Sequence, residues 1–161
     1  MASSVNPIPL LYRLFFLYVE PLSTILGAYY AHLEPLTYLT LTHSASAPAF
    51  VATIPKGTSV VLTQLANLYF LFALNEGLVL RSTNDLRVWR TLLFGLLVAD
   101  FGHLYSCKDL GPDVYWQFWN WNAIDWGNIA FVYCGAAMRS AFLLGVGLKG
   151  GSDGLAKRRS R

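Results

Sequence analysis

Residues 88–107 read VWRTLLFGLLVADFGHLYSC. Twenty residues as an α-helix span about the thickness of a bilayer's hydrocarbon core. Beyond Arg90 near its start, the stretch is apolar up to Asp100 and His103, which sit one turn apart. An ionisable side chain in hydrocarbon is costly, so it faces a bundle interior or a wet cavity and has a partner there. The segment therefore reads as a membrane-spanning helix with a polar inner face, and that face requires other helices around it.

Working outward, three more segments have the same length and apolar character. They cover residues 10–33, with a kink expected at Pro21, then 58–80 and 123–148. Together with 88–107 they give an all-α fold, a four-transmembrane-helix bundle forming a single domain over residues 1–161. Composition agrees. The chain is 55% hydrophobic and 13% charged, where a soluble domain carries about a quarter charged residues. Its net charge is +3, but the bases gather in loops and in the tail. That pattern suits membrane orientation and argues against a nucleic-acid-binding face. Two cysteines, Cys107 and Cys134, make neither a disulfide framework nor a zinc site and read as small core residues. The first apolar segment lacks a basic lead and a cleavage site, so it is expected to be a retained helix.

Loop charge sets the direction. Arg13, the 81–90 link with Arg81, Arg87 and Arg90, and the tail with Lys149, Lys157, Arg158, Arg159 and Arg161 fall on one side of a four-span layout. The other side has Lys56 and Lys108. Both termini are then expected in the cytoplasm, with residues 149–161 a flexible basic tail. Tyr115, Trp116, Phe118, Trp119, Trp121 and Trp126 form an aromatic group suited to the opposite interface. The 34–57 loop, containing Pro35, Pro48 and Pro55, is too long for a turn and is expected to cap the bundle.

Six ionisable groups fall within the spans: Glu20, Glu76, Asp100, His103, Asp125 and Arg139. At 3.6 residues per turn, Trp121, Asp125, Asn128, Val132, Gly135 and Arg139 lie within an arc of roughly 80°. Asp100, His103 and Cys107 share a face, as do Arg13, Glu20, Thr24 and Gly27. Gln64, Asn67 and Asn75 share another, with Glu76 roughly 100° away. Glu20, Asp100 and Arg139 all sit about 15 Å from the cytoplasmic edge, so Arg139 is expected to pair with Glu20 or Asp100. The pocket should open from this depth towards the aromatic side. Three of them also have a plainer role: Arg139 as a structural ion-pair partner, Asp125 with Asn122 and Asn128 as a helix start, and Glu76 as a partner of Arg81 or Arg87.

Four stretches carry a resemblance: IPLLYRLFFLYVEPLSTILGAYYAHLEP (8–35), QLANLYFLFALNEGLVLR (64–81), DLRVWRTLLFGLLVADFGHLYS (85–106) and WNAIDWGNIAFVYCGAAMR (121–139). They resemble a family of small four-helix fungal integral membrane proteins that carry a domain-of-unknown-function label. Some members are similar to the epoxide hydrolases or cyclases of polyene-pyrone polyketide clusters of the aurovertin and citreoviridin type. The resemblance implies an endoplasmic-reticulum enzyme of secondary metabolism acting on a lipophilic small molecule. It carries no catalytic residues over, so the site rests on placement.

Opening an epoxide takes acid at the ring oxygen and base at the incoming water or hydroxyl, which two differently placed carboxyls can supply. The expected pair is Asp100 with Asp125 or Glu20. His103 would orient Asp100 or relay a proton, and Arg139 would balance one carboxylate. Asn75, Glu76 and Asn128 are expected to contact substrate or water, and Trp121 and Trp126 to wall an apolar pocket. No cofactor or metal is called for, and the partners are the lipophilic substrate and membrane lipid, not nucleic acid; homo-oligomerisation stays open. Two alternatives remain: a sterol- or lipid-binding protein or sterol-isomerase-like protein without epoxide chemistry, and a structural membrane subunit.

Overall fold

The computed structural model describes residues 8–49 and 53–148. The 149–161 tail expected to be flexible lies outside them. The described residues form helices and turns with no strand. Five helices follow in order: α1 over Leu10–Leu33, α2 over Pro35–Thr42, α3 over Lys56–Ser82, α4 over Leu86–Ser106 and α5 over 123–143. Helices α1 and α3 are long and apolar enough to cross a membrane by length and composition. Helices α4 and α5 are long enough too, but charged and polar side chains such as Arg90, Asp100 and Arg139 lower their hydropathy.

Helix α1 packs chiefly along α3, and α4 along α5. Gly27 brings the first pair together: a Cβ there would stand 3.3 Å from the Tyr69 ring. The inward face of α3 is Leu62, Ala66, Tyr69, Ala73, Glu76 and Leu80, an alternation of four and three residues. Small side chains on that stripe allow close helix contact. This reverses the expected orientation of α3. Gln64 and Asn67 are exposed and Asn75 is only partly covered, while Glu76 is fully buried. Packing of the alanines, not the polar stripe, decides which side faces in.

Three long helices each widen into a π-helical turn: Phe15–Val19 in α1, Asn75–Val79 in α3 and Trp126–Phe131 in α5. The first answers the expected kink. Pro21 has no N–H to offer the preceding turn, and the Leu17 carbonyl instead accepts from Arg81 Nη2 at 3.0 Å. Arg81 also lies over the Tyr18 ring at 4.7 Å.

Two apolar clusters hold the ends of the bundle. One joins Tyr12, Phe16 and Leu17 of α1 to Leu80, Trp89, Leu93, Leu96 and Phe142. The other joins Ala31 of α1, Tyr38 of α2, and Leu62 and Ala66 of α3, with Ile124 of α5 against them. Helix α2 thus caps the bundle over one end, as the length of the 34–57 loop suggests. Between the clusters lies the polar layer. Cys107 is buried, but Cys134 is exposed on the outer face of α5, not in the core.

Candidate functional site

One guanidinium joins all four long helices. Arg139 of α5 donates through Nη1 to Asp100 Oδ2 of α4 at 2.6 Å. Its Nη2 donates to Glu20 Oε1 of α1 and to Glu76 Oε1 of α3 at 3.2 Å. Arg139 is 3% exposed and Glu76 0%. Charge-assisted bonds of this kind are the strong ones, and a planar guanidinium suits several carboxylates at once. The Phe16 ring, 5.7 Å from Arg139 Cζ, covers the cluster on the side of the first apolar cluster. Gly135 makes room for it: a Cβ there would stand 2.6 Å from Arg139 Nη1 and 3.4 Å from Glu20 Oε1.

The expected pairing of Arg139 with Glu20 or Asp100 is met by both. Glu76 was assigned to Arg81 or Arg87 as its plainer role, and it is instead the third carboxylate on Arg139. Arg81 turns to the Leu17 carbonyl, and Arg87 lies exposed beside Asp85. Glu20 Oε2, Glu76 Oε2 and Arg139 Nε are buried with no hydrogen-bond partner.

The cluster is the polar floor of a cavity of about 450 Å³. Its walls are Thr24, Gly27 and Tyr30 of α1, Tyr38 and Leu41 of α2, Tyr69 and Phe72 of α3, Leu96 and Ala99 of α4, and Phe131 and Val132 of α5. His103 lines it one turn beyond Asp100, with a buried Nε2 that has no hydrogen-bond partner. Asn128 lines it from within the π-helical turn of α5. Each π-helical turn therefore holds or adjoins a cavity residue: Glu20 follows the first, Glu76 lies in the second and Asn128 in the third. Such turns recur at functional sites because they re-aim side chains. The lining continues to exposed Leu26, Trp126 and Gly127, so the cavity reaches from the ion cluster towards the aromatic end.

Three expected site residues stand elsewhere. Asp125 does not line the cavity. Its Oδ2 accepts from Asn122 N at 3.0 Å while Asn122 Oδ1 accepts from Ile124 N and Asp125 N. This reciprocal cap starts α5, so the contacts of Asp125 are those of the helix-start role and they hold it off the cavity. Trp121 precedes the helix and donates from Nε1 to Val114 O at 2.8 Å, fastening the 107–122 loop; of the two tryptophans, Trp126 lines the cavity. Asn75 is absent from the lining, and its neighbour Glu76 takes the place.

Sequence reasoning passed over the tyrosines. Tyr38 Oη and Tyr69 Oη are 3.3 Å apart, and burial pushes the Tyr38 hydroxyl above its ordinary value, keeping it protonated. The signal for Tyr69 was present: it shares the four-and-three spacing of Ala66, Ala73 and Glu76. The signal for Tyr38 was not, since α2 lies inside what reads as a proline-bounded loop.

Chemically, the site offers three carboxyls and one fixed cation on the floor of an apolar chamber, with a histidine and two hydroxyls along its wall. No group of His, Cys, Asp and Glu suited to a metal ion occurs among the described residues. No curated protein and no solved structure matches the chain. Residues 5–149 match a family model described as a domain of unknown function (DUF7704), and with nearly the whole chain covered, the protein belongs to that family.

Proposed function

We propose that the protein is a four-span integral membrane enzyme that opens an epoxide in a lipophilic polyketide or isoprenoid, by hydrolysis or cyclisation. The observation that carries this reading is the floor of the cavity, where Asp100, Glu20 and Glu76 share Arg139 beneath apolar walls. Ring opening needs an acid and a base held apart in charge but close in space. Fully ionised, three carboxylates and one guanidinium leave two negative charges in a buried site. A buried site carries such an excess poorly, which suits the cluster to holding a proton among its carboxyls. Asp100, the least covered of the three, is the base. Glu20, next to Glu76 on the same nitrogen, supplies the acid proton. Asn128 and the Tyr38 and Tyr69 hydroxyls fix the oxygens of substrate or water.

The membrane placement has its own support. Large apolar side chains are exposed on every long helix, among them Leu22 and Ile25 on α1, Val61 and Leu68 on α3, Phe94, Val98 and Phe101 on α4, and Tyr133 on α5. A surface of this kind suits lipid contact. Arg81, Arg87 and Arg90 lie together at one end, and exposed Trp116, Phe118 and Trp119 lie in the loop at the other. We place the arginine end on the cytoplasmic face of the membrane on the positive-inside rule, and propose that membrane to be the endoplasmic reticulum. The resemblance to fungal polyene-pyrone epoxide hydrolases and cyclases supports the substrate class.

The test is turnover of a lipophilic polyepoxide by membranes carrying the protein, compared with Asp100→Asn and Glu20→Gln. Each substitution should lower turnover by about 10²-fold or more, the usual contribution of a positioned acid or base. Full activity in a folded Asp100→Asn variant removes Asp100 from the chemistry. Saturable ligand binding with no product from any epoxide would favour the lipid-binding alternative.

A further inference from the structure

A second cavity of about 360 Å³ adjoins the first. Tyr38, Tyr69, His103 and Asn128 line both, so these four side chains form the wall between them. The two chambers differ in character. The first is apolar above its ion cluster. The second ends in a polar rim of exposed His43, Ser46, Ser106 and Asp109, with His43 Nδ1 bonded to Ser46 Oγ at 2.8 Å. His103 spans the wall, and its buried Nε2 lacks a partner. A buried polar atom with no partner beside a polar chamber is a place for water.

We propose that the second chamber is a water port: it brings water from the aqueous face past His103 to Asp100 while the lipophilic substrate fills the first chamber. This rests on the epoxide-opening reading for its chemistry, but the port itself does not. In the reaction, water oxygen forms a bond to an epoxide carbon as that carbon's bond to the ring oxygen breaks. Asp100 takes a proton from the water, and Glu20 gives one to the ring oxygen, yielding a vicinal diol. Exchange with water of the port then removes the proton from Asp100 and restores one to Glu20. An internal hydroxyl of the substrate needs no port, so the port separates hydrolysis from cyclisation.

The chain has two cysteines, and buried Cys107 lines the second chamber. In a Cys134→Ala background it reports on the port without any epoxide chemistry. The protein in lipid nanodiscs, open to solvent on both faces, is treated with a small cationic methanethiosulfonate. Cys107 should be modified, and Ser46→Phe just after α2 or Ser106→Phe at the end of α4 should slow modification by about tenfold. Absence of labelling in the parent, or labelling unaffected by both rim substitutions, overturns the port. The same rim variants are then given an epoxide that also carries a reachable hydroxyl, in ¹⁸O-labelled water. Labelled diol should fall about tenfold while the cyclic ether changes less than about twofold. An equal fall in both products overturns the link between port and nucleophile. A parent protein that labels at Cys107 but turns over no epoxide refutes the proposed function and leaves the port standing.

Discussion

Replacing Gly135 with alanine pits two effects of known sign against each other. Within a helix, alanine is favoured over glycine by about 0.5–1 kcal/mol. Against that, the new Cβ would lie 2.6 Å from Arg139 Nη1 and 3.4 Å from Glu20 Oε1. An arginine tip normally swings clear of such a contact. Here the guanidinium is held by Asp100, Glu20 and Glu76, on three other helices. Overpacking of this kind costs about 1–3 kcal/mol, and loosening a hydrogen bond to a charged group adds about 1.5–3 kcal/mol. The balance is a loss of about 1.5–5.5 kcal/mol. At about 2–4 °C per kcal/mol for a chain of this size, Tm should fall by about 3–22 °C. Gly95→Ala is the control: it lies on the exposed side of α4 with nothing within 4 Å of its Cβ, so Tm should rise by about 1–4 °C. Both are read by thermal unfolding of the purified protein in one detergent. If Gly135→Ala unfolds at the temperature of Gly95→Ala, the guanidinium is not fixed as described and the ion cluster is not the lock of the bundle.

Four further outcomes follow from the same contacts. Arg139→Met strips the cation from three buried carboxylates and should cost about 3–5 kcal/mol, with part of the loss recovered in the Arg139→Met, Glu76→Gln double variant; no recovery would mean the two groups do not interact. Arg81→Ala leaves the Leu17 carbonyl without its donor and should cost about 1–3 kcal/mol. In a Pro21→Ala background, where residue 21 has an N–H, the same change should cost measurably less by chemical denaturation. Gln64→Leu with Asn67→Leu should alter stability by less than about 0.5 kcal/mol, because both face outward, whereas Ala66→Leu or Ala73→Leu on the inward face should cost about 1–3 kcal/mol. A tag placed after Arg161 should be cleaved by protease added outside sealed microsomes, and protection would reverse the orientation proposed from the arginines.

Helix lengths and the depth of the charges were legible from the sequence, because both depend on distance along the chain. Residues 10–33 were bounded by apolar length alone and match α1. Equal depth was enough to bring Glu20, Asp100 and Arg139 together. Rotation about each helix axis was harder to read, for two separate physical reasons. On α3, polarity was taken to mark the inner face, but Ala66 and Ala73 let α3 approach α1 closely and so turned Gln64 and Asn67 outward. The stripe of small residues was the better guide, and it carries Tyr69 and Glu76 with it. On α5, the error lay in the period. A π-helical turn adds a residue to the repeat, which at 3.6 residues per turn displaces what lies beyond it by about 100°. Read backwards from Arg139 at a constant period, Asp125 falls on the cavity side. Across the π-helical turn at Trp126–Phe131 it rotates away and closes the Asn122 cap. Asn128 lies inside the turn, is displaced only partway, and so remains on the cavity. Two of the three cavity-bearing π-helical turns contain or adjoin a glycine, Gly77 or Gly127, and the other lies next to Pro21. Those residues weaken the regular helix where the site needs a side chain re-aimed, so the places where a constant period fails are also the places that position Glu20, Glu76 and Asn128 around one cavity.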